Sequence, residues 1–101
     1  TYLMPRPHAS FLMRIRGESM KEANMPDDAL IVVDRSITPT NRKIVVAVIN
    51  GELTVKRFIK NSSGIRLVPA NERFQPIPIT ENMDFTVWGT VTQIIINAST
   101  V

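Results

Sequence analysis

Two β-branched, apolar runs on either side of an Asn-Gly pair constrain this chain more than any other feature. The first run covers residues 43–49, the turn is Asn50-Gly51, and the second run covers residues 52–59. Asn-Gly between such runs predicts a two-residue type I′ hairpin, because both turn residues must take positive φ. This register pairs Val45 with Lys56 and Ala47 with Thr54, and paired residues point to the same face of the sheet.

The predicted register puts Lys56 on a mostly apolar face. Its neighbours there are Thr54, Phe58, Val45 and Ala47. Burial disfavours the ammonium form and lowers the pKa of a lysine, and a neutral lysine can activate a serine as a general base. The alternative is that Lys56 lies on the outer face while Val55, Arg57 and Ile59 point inward, which would give Arg57 the same burial problem. The residues leave both orientations open.

The remaining apolar segments also predict β-strands, and no segment shows helical periodicity of useful length. Further strands are predicted at residues 10–16, 29–33, 65–68 and 85–97. The first alternates apolar and polar residues, whereas 29–33 is apolar throughout and should be covered on both faces. The last is predicted to bend at Gly89, and its apolar end must be covered by the core or by another subunit. We therefore predict a mostly β fold of twisted antiparallel sheets with short helical turns.

Prolines and turn residues mark the other segments. Pro76 and Pro78 restrict residues 69–80 to edge-strand or loop structure. Residues 34–42 are predicted to be a loop. Residues 1–9 lack periodicity and predict an extended arm, so we expect one domain over residues 10–101.

Composition excludes several classes of site. The chain has 101 residues, a net charge of +3 and no cysteine, which excludes disulfides, thiolate zinc sites and cysteine catalysis. A single histidine, His8, in a proline-rich stretch argues against a Ser-His-Asp triad and against a transition-metal site. The basic charge is too small to indicate nucleic-acid binding. The longest apolar run, residues 44–49, is too short to span a bilayer, and no signal peptide is evident, so we expect a cytoplasmic protein without a cofactor or a membrane partner.

A serine that follows the first predicted strand has two interpretations. In Arg16-Gly17-Glu18-Ser19-Met20-Lys21-Glu22, the spacing of Ser19 and Glu22 fits a capping box, in which the serine side chain caps a short helix over residues 19–24. The other interpretation is that Ser19 is a nucleophile and Lys56 its base. Taken alone, the spacing is more typical of a cap.

Several segments together resemble the LexA/UmuD family of self-cleaving Ser-Lys peptidases. They are residues 11–20 (FLMRIRGESM), 25–34 (MPDDALIVVD), 51–58 (GELTVKRF), 67–71 (LVPAN) and 74–77 (FQPI). Their order and spacing match the family, and Ser19 and Lys56 fall on its dyad positions. The resemblance implies a LexA/signal-peptidase-like fold and self-cleavage, with neutral Lys56 activating Ser19. It also implies an oxyanion hole formed by the backbone N–H groups of Glu18 and Ser19.

Within this family the chain is most similar to the UmuD/MucA mutagenesis proteins, with a LexA-type repressor domain as the alternative. The first interpretation implies an accessory subunit of an error-prone translesion DNA polymerase in the SOS response. Either one implies a homodimer, in which the C-terminal strand contributes to the interface, and cleavage stimulated by a RecA–single-stranded-DNA filament. Neither implies direct sequence-specific DNA binding by this domain.

The chain departs from the family pattern at three places. The Ala-Gly or Cys-Gly bond that the family cuts is absent from these residues, so we expect a processed form or part of a longer chain. Arg16 stands where the family often has serine, and Asp28 where it often has glycine. Two other hypotheses stay open: a non-enzymatic dimeric subunit with an idle dyad, and a relative of the signal peptidases.

Overall fold

The described part of the chain forms one antiparallel sheet. The computed structural model describes residues 9–17, 20–23 and 25–96. In these ranges the strands are β1 (Ser10–Arg14), β2 (Leu30–Asp34), β3 (Ile44–Ile49), β4 (Glu52–Asn61), β5 (Gly64–Val68), β6 (Ile77–Pro78) and β7 (Phe85–Ile95), in the order β1-β2-β7-β3-β4-β5-β6. The predicted mostly β fold is confirmed. No helix in the described ranges is long and apolar enough to cross a membrane.

The β3–β4 hairpin has the predicted turn and register. Asn50 and Gly51 have φ values of 50° and 83°, as a type I′ turn requires. Val45 pairs with Lys56, and Ala47 pairs with Thr54. The turn is tied to the start of β7, because Asn50 N donates to Asp84 O at 2.7 Å and Asp84 N donates to Asn50 Oδ1 at 3.0 Å.

The C-terminal strand β7 lies in the middle of the sheet, between β2 and β3. Its register shifts once against each neighbour, which leaves Trp88 and Thr92 as extra residues. The predicted bend at Gly89 thus corresponds to the first of these bulges. A Cβ at Gly89 would lie 2.7 Å from Val33 Cγ1 and 2.9 Å from Asp34 O, so the close approach of β2 requires glycine here.

Two apolar clusters pack on opposite faces of β3. The first cluster consists of Ile15, Met20, Met25, Ile31, Val33 and Val46. The second consists of Val45, Ala47, Phe58 and Leu67. Because alternate residues of β3 enter different clusters, this strand is buried on both faces, which explains its uninterrupted apolar sequence.

Three segments differ from the expectation or lie outside the described ranges. Asp34 is the last residue of β2 and is 2% exposed, so the prediction that a loop begins at residue 34 is wrong. Its Oδ1 accepts hydrogen bonds from Ser36 N at 2.8 Å and from Ser36 Oγ at 2.6 Å, which satisfy the buried carboxylate. The helical turn is a 3-10 helix at Lys21–Ala23, whereas Ser19 and Asn24 lie outside the described residues. The predicted arm also lies outside them, except Ala9. The two-residue β6 lies at the sheet edge, as Pro76 and Pro78 predict.

Candidate active site

A cleft of about 740 Å³ opens between the end of β1, the first half of β4 and the segment around β6. It is lined by Met13, Arg14, Ile15, Arg16, Gly17, Met20, Ile49, Asn50, Glu52, Leu53, Thr54, Val55, Lys56, Phe74, Gln75, Ile77 and Met83. The lining combines apolar side chains with polar and charged ones, among them Arg14, Arg16, Asn50, Glu52, Thr54, Lys56 and Gln75. Its walls come from segments that are distant in sequence, so the cleft exists only in the folded chain.

Lys56 lies in this cleft, half-buried, on the face that the hairpin register predicts. Its Nζ donates to Thr54 Oγ1 at 2.7 Å and to Val55 O at 3.3 Å. Burial lowers the pKa of the Lys56 ammonium from its ordinary value, and the nearby Glu52 carboxylate opposes part of that shift. Val55 packs against the first cluster and Phe58 belongs to the second, so β4 contributes side chains to both clusters and neither orientation left open by the sequence describes it alone. Arg57 points to the opposite face from Lys56, and its Nη1 donates to Arg42 O at 2.7 Å.

The segment that carries Ser19 is held on both sides. Glu18 and Ser19 themselves lie outside the described residues, so the predicted nucleophile, cap and oxyanion-hole donors are not placed. On one side, Gly17 N donates to Asp27 Oδ1 at 2.8 Å. On the other, Met20 is 1% exposed and its Sδ accepts from Ala70 N at 3.3 Å. Gly17 and Met20 both line the cleft that contains Lys56.

The 3-10 helix after Met20 docks on the same loop. Glu22 N donates to Ala70 O at 2.6 Å, and Ala23 N donates to Met20 O at 3.1 Å. Ala70 therefore offers both its backbone groups to residues 20–22. This contact gives a structural role to the 67–71 segment, whose position beside the site the sequence alone does not show.

The two positions that depart from the family pattern contact each other. Asp28 has a φ of 74°, a conformation that glycine adopts without strain and aspartate tolerates. Its Oδ1 lies 2.8 Å from Arg16 Nη1 and 3.3 Å from Arg14 Nη1. These ion pairs are exposed and contribute about 0–1 kcal/mol each. The two segments are joined mainly by backbone bonds, from Asp28 N to Ile15 O at 2.8 Å and from Ile15 N to Ala29 O at 2.7 Å.

The hairpin register placed Thr54 beside Lys56, and the structure joins the two by a hydrogen bond. Sequence reasoning missed Met20 and Phe74 as parts of the site. Met20 and Phe74 carry no local signal, because their places depend on long-range packing. Within the described ranges, no group of three or more His, Cys, Asp or Glu side chains is placed to hold a metal ion.

Known proteins resemble this chain over most of its length. The profile of the Peptidase S24-like family matches residues 1–92. The chain is 44% identical to a LexA repressor of Clostridioides difficile over 84 residues, which is 82% of this chain and 39% of that protein. It is 39% identical to a LexA repressor of Shewanella amazonensis over 95 residues, which is 93% of this chain and 46% of that protein. The chain therefore spans less than half the length of these curated relatives.

These relatives bear on the two interpretations of the sequence. Their shared name is LexA repressor, so they favour the repressor alternative over the UmuD/MucA interpretation that the sequence analysis placed first. They give no support to a role in mutagenesis or translesion synthesis. The coarser prediction, a domain of the LexA/UmuD kind, is confirmed.

Proposed function

The chain belongs to the Peptidase S24-like family, and from this premise we propose that it is the C-terminal self-cleavage and dimerisation domain of a LexA-type transcriptional repressor of the SOS response. The observation that carries the proposal is the half-buried Lys56 in a cleft that Gly17 and Met20 also line. The relatives named LexA repressor support the choice among members of the family. The DNA-binding part of such a repressor would lie outside these residues.

In the proposed mechanism, neutral Lys56 takes the proton of Ser19 as Oγ attacks a peptide carbonyl of the same protein. The carbonyl carbon forms a bond to Oγ, the amine leaves with a proton from Lys56, and water then hydrolyses the acyl-enzyme. Backbone N–H groups of Glu18 and Ser19 would stabilise the oxyanion, at about 2.7–4 kcal/mol for a donor of this kind. Burial of Lys56 favours this role, because a lowered pKa leaves more of the neutral base.

The proposal is tested in a longer chain in which a repressor-type N-terminal part precedes this domain. Self-cleavage is expected at alkaline pH and should be lost in Ser19→Ala and in Lys56→Ala. Lys60→Ala is the matched control, because Lys60 lies on the same strand but is exposed, and it should cut at the normal rate. Retained cleavage in either dyad variant contradicts the proposed chemistry. A folded longer chain that never cuts supports the idle-dyad alternative.

The proposed repressor also requires partners. A RecA–single-stranded-DNA filament is expected to accelerate cleavage of the longer chain, as measured by the appearance of the two fragments. Without any acceleration, the chain would not be a repressor controlled by the SOS response. A longer N-terminal part that carries a helix-turn-helix would support the repressor, whereas a short arm would restore the UmuD/MucA interpretation and its polymerase partner.

We further propose that two copies of this domain associate through β7. Its residues 91–95 pair with β2 on one side, and on the other side the ladder to β3 stops at Thr90. Within the described ranges this half of β7 therefore has an open edge, which is a template for pairing with a second chain. Sedimentation should show a dimer that Ile95→Glu weakens and that Ser62→Glu, an exposed control in the turn between β4 and β5, leaves intact. A monomer at every concentration contradicts this interface.

A further inference from the structure

A carboxylate holds the backbone just before the segment that carries Ser19. Gly17 N donates to Asp27 Oδ1 at 2.8 Å, although the two residues are ten positions apart in sequence. Gly17 has a φ of 94°, a conformation that glycine adopts without strain. Hydrogen bonds from an N–H group to a carboxylate are shorter and stronger than those between neutral groups. Asp27 therefore stabilises the turn at Gly17.

The turn that presents Asp27 is itself fixed by backbone hydrogen bonds. Asp28 N donates to Ile15 O at 2.8 Å, and Ile15 N donates to Ala29 O at 2.7 Å. Ala29 N donates to Pro26 O at 3.2 Å, which closes the turn. Ile15 and Ala29 are both buried. The Asp27 carboxylate thus starts from a fixed backbone, so its position can determine that of Gly17.

Gly17 is one of two anchors on either side of Ser19. The other is Met20, whose Sδ accepts from Ala70 N at 3.3 Å. Both anchors line the cleft that contains Lys56. Only residues 18 and 19 lie between them, and consecutive Cα atoms are about 3.8 Å apart. A displacement of Gly17 must therefore be absorbed by the peptide units that carry Ser19.

The neighbouring carboxylate of Asp28 makes a different kind of contact. Its Oδ1 lies 2.8 Å from Arg16 Nη1 and 3.3 Å from Arg14 Nη1. These partners are exposed side-chain groups, which can move without moving the main chain, and such ion pairs contribute little. Asp27 instead bonds to a main-chain amide. The chain thus offers two adjacent, exposed carboxylates that differ in whether they hold the backbone beside Ser19.

We propose that Asp27 is a positioning residue for self-cleavage, because its carboxylate oxygen accepts the Gly17 N–H and so sets the place of Ser19 relative to Lys56. The inference rests on the proposed self-cleavage. Asp27 takes no proton and forms no bond to the substrate in this role, and it acts only through the main chain. The role requires an acceptor oxygen and no negative charge, so an amide oxygen can replace the carboxylate.

Self-cleavage in the longer chain tests the need for an acceptor at this position. Asp27→Ala is expected to slow cleavage at least about tenfold, because small displacements of reacting groups are costly. Asp27→Asn should restore most of the rate, since its Oδ1 can accept the same bond. Unchanged cleavage in Asp27→Ala, or an equal loss in Asp27→Asn, overturns the proposal.

Asp28→Asn is the matched control for these variants. It removes one exposed carboxylate from the same turn, and asparagine tolerates the positive φ of this position. Its cleavage rate should equal that of the unsubstituted chain, because the Gly17 contact is kept. All rates are compared at a temperature where thermal unfolding shows every variant to be folded. A loss in Asp28→Asn as large as that in Asp27→Ala overturns the assignment to Asp27.

The pH profile of cleavage separates positioning from an effect on the proposed base. Asp27 lies outside the lining of the cleft, so Asp27→Ala should lower the rate at every pH and leave the midpoint of the profile in place. Glu52→Gln is the comparison, because the Glu52 charge acts on the pKa of Lys56. A midpoint shift in Asp27→Ala as large as that in Glu52→Gln overturns the positioning role.

Hydrogen exchange tests the contact without requiring cleavage. In the 101-residue chain, Asp27→Ala should speed exchange of the Gly17 amide at least about tenfold, because this amide loses its acceptor. Asp27→Asn and Asp28→Asn should leave it unchanged. The Ile15 amide, which is bonded to Ala29 O, is the internal control for an intact fold. Equal exchange of Gly17 in all variants overturns the contact on which the proposal depends.

The measurements separate failure of this inference from failure of the proposed function. A longer chain that cuts at the normal rate despite Asp27→Ala retains the peptidase activity and removes Asp27 from it. An unsubstituted longer chain that folds and never cuts removes the peptidase activity. If Asp27 still protects the Gly17 amide in that chain, the contact is purely structural, and the positioning role is wrong as well.

Discussion

Replacing Met20 by alanine tests whether its anchoring positions the segment that carries Ser19. Met20 is 1% exposed in the first cluster, and its Sδ accepts from Ala70 N at 3.3 Å. Truncating a buried methionine to alanine lowers the free energy of unfolding by about 2–5 kcal/mol. Near-complete burial points to the middle of that range, about 3 kcal/mol. For a domain of this size, a loss of 3 kcal/mol lowers Tm by about 12–24 °C.

Met25→Ala is the matched control for this substitution. Met25 is also fully buried in the first cluster but does not line the cleft, so its truncation should cost a similar amount of stability. Self-cleavage is then measured in the longer chain at a temperature where both variants are folded. Met20→Ala is expected to slow it about tenfold or more, because small misplacements of reacting groups are costly, whereas Met25→Ala should retain it. Equal rates in the two variants would refute the positioning role of Met20.

Three further predictions follow from the sheet and from Lys56. Gly89→Ala should lower the free energy of unfolding by about 1–3 kcal/mol in urea, because its Cβ meets Val33 and Asp34; adding Val33→Ala should cost less than the sum of the two single changes. Glu52→Gln removes the charge that raises the pKa of Lys56, so the pH profile of self-cleavage should move to lower pH, and an upward shift or no shift contradicts this. Lys56→Met should stabilise the domain below the lowered folded-state pKa of Lys56, where the buried ammonium is unfavourable. The pH-dependent part of this gain should vanish above the ordinary lysine pKa of 10.5. A gain that stays constant across that window contradicts burial of the ammonium as its cause.

The structure also changes how the C-terminal strand is understood. Its apolar sequence required cover by the core or by another subunit, and the structure shows two different strand neighbours along its length. Among the described strands, residues 85–89 pair with β3 alone, Thr90 pairs with both β2 and β3, and residues 91–95 pair with β2 alone. Pairing between segments that are distant in sequence decides which strand lies beside each part of β7. The alternation of side chains within β7 does not indicate where either neighbouring strand ends.

Residues close in sequence were sufficient to predict the part of the site that belongs to the β3–β4 hairpin. The positive φ values of Asn50 and Gly51 determine the turn, the turn determines the register, and the register places Lys56 beside Val45 and Thr54. Alternation likewise determined the buried face of β1. These features depend on residues close in sequence, so the sequence by itself determined them.

Only the tertiary structure decided which other segments surround that hairpin and form the cleft with it. The central place of β7, the docking of Met20 on Ala70 and the contact of Arg16 with Asp28 all join residues far apart in sequence. The lowered pKa of Lys56 is also a property of the folded chain, because its largest cause is burial. The sequence thus determined which side chains share a face, and the tertiary structure decided which of those faces is covered and which is open to a substrate.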